Sequence, residues 1–175
     1  MTDLFMLRDA CICSTGLYRW WLLRVWDDRL PQLIVVMLNP STADAERDDP
    51  TIMALIHFAK LWGYGGLRVV NLFAWRASQP AEMLKADNPI GNANGLHVGT
   101  AISYARQTSG RILVAWGNGG HHLDQDERFI ARARAAGVEL VCLGTTQDSS
   151  PKHPMARGRH RIPRDQQPII WRTAT

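Results

Sequence analysis

The chain has 175 residues, of which 46% are hydrophobic and 21% are charged, and its formal net charge is +4. These proportions are typical of a globular protein and exclude an intrinsically disordered chain, and the length fits one domain over residues 1–175. No apolar run approaches the ~20 residues that span a bilayer, and residues 1–10 lack a signal-peptide pattern, so we expect a cytoplasmic protein without membrane contact.

The three cysteines, Cys11, Cys13 and Cys142, include no CxxC pair. We expect free thiols in a reducing compartment, because so few cysteines cannot hold an iron–sulfur cluster or a four-cysteine zinc site. The histidines, among them the pair His121 and His122, do not follow a known zinc spacing. The sequence therefore predicts no metal and no cofactor.

Short apolar runs alternate with helical patterns from residue 18 onward. Residues 18–26 (YRWWLLRVW) predict a strand at or near a sheet edge, paired in an antiparallel hairpin with the apolar run 33–38. Asp49 and Pro50 predict a helix start, and Gly63 ends that helix, since aspartate caps helices and proline suits their first position. We further predict strands at 67–72, 111–116, 138–143 and 169–171, and helices at 92–106 and 124–136.

This alternation predicts an α/β fold, a three-layer α/β/α sandwich with a mostly parallel central sheet. The segment 144–168 has four prolines and little periodicity, so we expect a basic, loop-rich region there. Residues 151–175 hold six basic side chains against Asp165 alone, a net charge of +5, whereas the rest of the chain has −1. Such a concentration of charge favours contact with phosphates or nucleic acid, with a solvated tail as the alternative.

Residues 33–44 (LIVVMLNPSTAD) form the central stretch of the pattern. Its six apolar residues suit a strand buried on both faces, and Pro40 ends the strand because it cannot donate a ladder hydrogen bond. Ligands of open α/β sheets bind just beyond the carboxyl ends of the strands, so Asn39, Ser41 and Thr42 lie where a site is expected. An ordinary strand-ending turn is the alternative.

Four short motifs then occur in order: LNPSTAD, NLFAWR, AWG and HP. Together they resemble a bacterial and phage family of unknown function with an LNPSTAD motif and, more distantly, the uracil-DNA glycosylase superfamily. The second resemblance implies a uracil-DNA-glycosylase-like fold and a DNA-repair hydrolase that excises bases by cleaving N-glycosyl bonds.

The glycosylase resemblance also implies residue roles. Asn39 would position the attacking water, and His153 would stabilise the departing base, so these two are the implied catalytic residues. Asn71 would bind the amide edge of the base, with Arg76 where related branches have a basic residue, and Met155 would wedge into the DNA stack. The implied substrate-binding residues are Pro40, Ser41, Asn71, Trp116, Gly117, Pro154 and Met155.

Two positions depart from the glycosylase pattern. Asn39 replaces the catalytic aspartate of the most active branch, and Ser41 replaces the tyrosine that screens out larger bases. Because an amide cannot accept a proton as a base would, we expect hydrolysis to be slow. The expected partner is nucleic acid, DNA in the first place, or a nucleotide, and the residues expected to contact phosphates are Lys152, Arg157, Arg159 and Arg161.

Two other function classes stay open. A non-catalytic module that binds nucleotides or modified bases would keep the pocket and lack the general base. A metal-dependent hydrolase would use the carboxylates of Asp44, Asp48 and Asp49, which could hold Mg²⁺ beside a phosphate. The alternative for these carboxylates is stabilisation of the helix that follows, through its dipole.

Overall fold

A seven-stranded mixed sheet forms the centre of the computed structural model, which describes residues 6–174. Its strands are β1 (Leu7–Ile12), β2 (Arg19–Val25), β3 (Gln32–Met37), β4 (Gly66–Asn71), β5 (Arg111–Val114), β6 (Glu139–Cys142) and β7 (Ile169–Arg172). The helices are α1 (Pro50–Leu61), α2 (Pro80–Met83), α3 (Asn94–Gln107) and α4 (Gln125–Ala135). The α/β class and the predicted strands and helices are confirmed, whereas β1 and α2 have no counterpart in the prediction.

The strand order across the sheet is β1-β2-β4-β3-β5-β6-β7. The four central strands β4, β3, β5 and β6 are mutually parallel, while β1, β2 and β7 are joined to their neighbours by antiparallel pairings. The carboxyl ends of the four central strands therefore meet at one edge of the sheet. We call these strand ends and the segments that follow them, residues 38–49, 71–79, 115–121 and 143–154, the strand-end edge.

Alternate side chains of β3 enter two separate clusters of buried residues, as the period of two in a strand requires. Leu33, Val35 and Met37 pack in the cluster that contains α1. Ile34 and Val36 pack in the cluster that contains α3 and α4. Both faces of the central strands are thus covered, which explains why β3 is apolar throughout.

Helix α1 begins and ends as the sequence predicts. The Asp49 carboxylate accepts a hydrogen bond of 2.9 Å from the backbone N–H of Ile52, and Pro50 takes the first helical position. Gly63 follows the helix with a φ of +79°, a conformation that favours glycine. The cap fixes the loop that joins β3 to α1, and this loop carries part of the strand-end edge.

The predicted hairpin between residues 18–26 and 33–38 is wrong. β2 pairs antiparallel with β1 and β4, second from the sheet edge, and β4 separates it from β3. The backbone oxygen of Gly65 accepts hydrogen bonds from both Trp26 and Asp27, at 2.9 Å each. A Cβ on Gly65 would lie 1.9 Å from the backbone oxygen of Asp27, so only glycine allows β4 to start between β2 and β3.

Two further expectations concern cysteines and membranes. All three cysteines are free thiols, Cys142 buried and the others partly exposed. Among residues 6–174, none of the helices combines the length and apolar character that a bilayer span requires.

Candidate functional site

The sheet order sets the order of polar residues along the strand-end edge. Asn71 is the last residue of β4, and its register partner in β3 is Met37, two residues before Asn39. On the other side of β3, the chain leaves β5 through Trp116 and Gly117. Asn71, Asn39 and Gly117 therefore lie at the carboxyl ends of three neighbouring parallel strands.

The segment 151–154 crosses the ends of β5 and β6. The backbone N–H of Gly117 donates to the oxygen of Pro151 at 2.8 Å, and that of Lys152 donates to the oxygen of Gly144 at 2.9 Å. His153 lies against Gly117, since a Cβ on that glycine would be 3.7 Å from the His153 Cβ. The fold thus brings His153 to the same edge as both asparagines.

Asn39 is held by its amide nitrogen. Nδ2 donates to the backbone oxygens of Pro40 (3.0 Å) and Ala77 (2.9 Å), and Pro40 also accepts from the Ala77 N–H at 2.9 Å. These bonds fix the amide plane and use both of its donors, which leaves the oxygen Oδ1 for a ligand or a water. Pro40 is buried and fixes the loop, whereas Ser41 is partly exposed.

Asn71 differs from Asn39 because its unused oxygen is buried. The residue is 1% exposed, and its Oδ1 is buried without a hydrogen-bond partner among the described residues. Most buried polar atoms in proteins do have partners, and an unpaired one is costly. The structure therefore offers a buried acceptor at the end of β4.

His153 is partly buried, and that burial lowers the pKa of its imidazole, which the negative charge of Asp49 opposes. Its Nδ1 accepts a hydrogen bond of 3.1 Å from the backbone N–H of Met155. A neutral imidazole that accepts a hydrogen bond at Nδ1 carries its proton on Nε2. His153 therefore presents a fixed neutral donor.

The side chain of Trp116 turns away from this group. It is 2% exposed and packs edge-on against Phe129 and Trp171, in the cluster with α4. Its contribution at the strand-end edge is confined to its backbone.

A cavity of about 590 Å³ lies next to His153, between α1 and residues 154–164. Its lining is mostly apolar, with arginines on the C-terminal segment. The apolar side chains are those of Pro50, Met53, Ala54, Phe58, Pro154, Met155, Ala156 and Ile162, and the basic ones are His57, Arg157, Arg161 and Arg164. Pro154 and Met155 thus join the cavity to the edge.

Of the four residues expected to contact phosphates, Arg157 and Arg161 are exposed and line this cavity. Arg159 is exposed beside His160, with Nε 3.3 Å from the His160 Nε2. Lys152 extends along Gly144, where a Cβ would lie 3.4 Å from the lysine Cδ. Lys152 thus lies at the end of β6, and Arg157 and Arg161 line the cavity together with residues of α1.

The acidic residues after the central loop are already engaged. Asp44 accepts from the backbone N–H groups of Glu46 and Arg47, and Asp49 caps α1. Asp48 forms ion pairs with Arg8 (2.6 Å) and Arg24 (2.8 Å). Within residues 6–174, no three histidine, cysteine or acidic side chains group as a metal site would require.

One residue at this edge is absent from the prediction. Arg19, the first residue of β2, is 3% exposed, and its Nη1 donates to the backbone oxygen of Ala43 at 2.7 Å. In the sequence it is one of two arginines in a single strand, and only the packing distinguishes them.

Comparison with protein-family models gives a match over most of the chain. The family described as "Protein of unknown function (DUF1643)" matches residues 19–155, which are most of the chain. No curated protein and no solved structure matches this chain.

Proposed function

Because the chain belongs to this protein family of unknown function, its activity has to be inferred from the site, and we propose that it binds a base of a nucleic acid at the strand-end edge and slowly hydrolyses the N-glycosyl bond. The proposal includes a three-layer α/β/α fold of the uracil-DNA-glycosylase kind. DNA is the expected partner.

The observation that carries this proposal is the buried, unpartnered oxygen of Asn71 at the same edge as His153. A base has a planar edge of donors and acceptors, and a site that recognises it needs a buried acceptor and a fixed donor. Asn71 supplies the acceptor, and the Nε2–H of His153 supplies a donor.

Each residue of the group has a chemical task in this proposal. The free Oδ1 of Asn39 orients a water, because its amide nitrogen is fixed by Pro40 and Ala77. His153 donates to the base as negative charge develops there, a form of electrostatic stabilisation. No step in this scheme gives Asn39 the role of a proton acceptor, so turnover should be slow.

The cavity beside His153 suits the rest of such a ligand. Its apolar wall can hold a neighbouring base, while Arg157 and Arg161 at its border suit phosphates.

A second candidate is a module that binds nucleotides or modified bases without cleaving them. The observation that favours it is at Asn39, where an amide stands in place of a proton-accepting group and is fixed by two backbone carbonyls. The metal-dependent hydrolase has less support, since Asp44, Asp48 and Asp49 are engaged by backbone N–H groups and arginines.

A screen of duplex and single-stranded oligonucleotides tests the proposal, with uracil, mismatched thymine, hypoxanthine or alkylated bases as targets. We expect slow base release by the wild type and none by Asn39→Ala, while binding is lost in Asn71→Leu. An apolar residue at position 71 removes an unpartnered buried oxygen, so the free energy of unfolding should stay the same or rise by about 1 kcal/mol.

The exposed residue Asn92 provides the control, as Asn92→Ala should behave as the wild type. Binding without base release in any substrate favours the module. No binding by the wild type, or a large loss of stability in Asn71→Leu, contradicts the proposed site.

A further inference from the structure

Strand β2 contains two buried arginines, one whose guanidinium group is fully hydrogen-bonded and one whose guanidinium group is not. Arg24 is 0% exposed and fully hydrogen-bonded. Its Nε pairs with Asp48 at 2.8 Å, its Nη1 donates to the backbone oxygen of Leu23 at 2.7 Å, and its Nη2 donates to that of Asp44 at 2.6 Å. This is the environment that a structural arginine needs, because a buried charge is costly unless it is paired and hydrogen-bonded.

Arg19 lacks these partners although it is 3% exposed. Its hydrogen bond to Ala43 uses Nη1, and its buried Nε has no partner among the described residues. Burial lowers the pKa of Arg19 to about 10, an effect that the charge of Asp49 opposes and the charges of Arg76 and Arg24 reinforce. Within residues 6–174, this positive charge is held without an ion pair.

Arg76, in the segment after β4, is a second incompletely bonded arginine close to the first. Its Nη1 donates to the backbone oxygen of Gly16 at 3.1 Å, and its Nε is also buried without a partner. The residue is partly exposed, so the pair is open to solvent on the Arg76 side.

The two carboxylates that act on Arg19, those of Asp49 and Asp44, offset part of its charge from a distance without bonding to it. Asp49 caps α1 and Asp44 binds two backbone N–H groups of its own loop. In the described part of the chain, neither forms an ion pair with Arg19 or Arg76. Two guanidinium groups with unused donors are well matched to an oxyanion, which accepts from several N–H groups at once.

We propose that Arg19 and Arg76 form an anion subsite that binds a phosphate group of the ligand. The inference rests on the proposed function, because it gives the nucleotide bound at Asn71 a second anchor. Arg19 lies on the β2 side of Asn71, since Leu22 pairs with Val69 and the Arg19 N–H donates to Ala74. Phosphates are then held on both sides of the base, by this pair and by the basic residues 152–161.

Thermal unfolding with inorganic phosphate, against chloride at equal ionic strength, tests the subsite directly. Phosphate should stabilise the wild type, and the apparent affinity should fall roughly tenfold or more in Arg19→Gln and in Arg76→Gln, as expected for lost charged hydrogen bonds. Arg29→Gln is the matched control, because Arg29 has 85% of its side chain exposed. A combined Arg157, Arg159 and Arg161→Gln variant should keep the part of the phosphate effect that depends on Arg19 and Arg76.

The stability of the phosphate-free protein separates a binding arginine from a structural one. We expect Arg19→Met to unfold at the wild-type temperature or above it, and Arg24→Met to unfold far below it. If Arg19→Met is destabilised as much as Arg24→Met, or if phosphate fails to stabilise the wild type, the inference is wrong. Failure of Arg19→Met to fold would contradict the inference in the same way.

The oligonucleotide screen tells the two proposals apart. Phosphate stabilisation that depends on Arg19, with no oligonucleotide binding, supports the anion subsite and removes the nucleic-acid function. Oligonucleotide binding that is unchanged in Arg19→Gln supports the function and removes the subsite.

Discussion

Polar side chains at the strand-end edge differ in how far the fold already uses their hydrogen-bonding groups. The amide nitrogen of Asn39 and the carboxylates of Asp44 and Asp49 serve the local backbone. The oxygen of Asn71 and the Nε atoms of Arg19 and Arg76 serve nothing in the described protein. Unused buried groups of this kind are the strongest residue-level argument for a ligand here, because proteins seldom tolerate them otherwise.

The lowered pKa of His153 predicts that the stability of the protein depends on pH. Burial lowers the pKa of its imidazole below the ordinary value of 6.5, so the unfolded chain binds the proton more readily than the folded one. The contribution of His153 to the free energy of unfolding is fully present above pH 6.5. It is lost as the pH falls from 6.5 toward the lower pKa that His153 has in the folded state. The free energy of unfolding should therefore decrease on acidification.

Denaturant unfolding at about pH 8 and about pH 5 in the wild type and in His153→Asn checks this. Asparagine does not titrate, and its oxygen can accept the Met155 N–H in place of Nδ1. His97, whose pKa burial also lowers, is present in both proteins, so the difference between them isolates His153. An equal acid loss in both would show that His153 does not contribute.

At the scale of elements, Gly65 allows β4 to lie between β2 and β3. We expect Gly65→Ala to lower the free energy of unfolding by about 2 kcal/mol or more, because the added Cβ would overlap the backbone oxygen of Asp27. Gly95→Ala in α3 is the matched control. It meets no atom within 4 Å and should stabilise the helix by about 0.5–1 kcal/mol. Equal effects of the two changes in urea unfolding would contradict this role for Gly65.

Elements with an apolar run or a capping signal could be predicted from the sequence. β3 and α1 are examples, since hydrophobic burial and the Asp49 cap are local properties. β1 carries Arg8 and Asp9 and is only partly buried, so its periodicity is weak. The β2–β3 hairpin was predicted because neighbouring strands often pair, but the contact of Gly65 with Asp27 depends on residues 38 positions apart.

The candidate site was predictable to a similar extent. Asn39, Asn71 and His153 end strands or belong to short motifs, so their place at one edge follows from a parallel sheet. Arg19 could not be found this way, because Arg19 and Arg24 occur in one strand and differ in partners that only the fold brings near.

At the scale of the whole molecule, the charge is divided between a nearly neutral body and a basic C-terminal segment. If that segment contacts phosphates, replacing Arg157, Arg159 and Arg161 with glutamine should weaken DNA binding. It should also reduce the slope of log affinity against log salt by about 2 to 3, one counterion for each contact. Binding at several salt concentrations measures this slope.

Three exposed arginines elsewhere, Arg29, Arg106 and Arg134, provide a control of equal charge when replaced together with glutamine. Their removal should leave the slope nearly as it is. If both triple variants change the slope equally, the effect reflects total charge and not a contact of the C-terminal segment.

The position of β3 in the sheet also has a consequence for synthesis of the chain. Both of its partners, β4 and β5, come later in the sequence, and they end at Asn71 and Val114. As the chain leaves the ribosome, its most apolar strand has no native neighbour until residue 71 has emerged, and only one until residue 114. The strand that carries the central loop is therefore made well before it is flanked on both sides, and during this interval an emerging chain depends on its surroundings to avoid association.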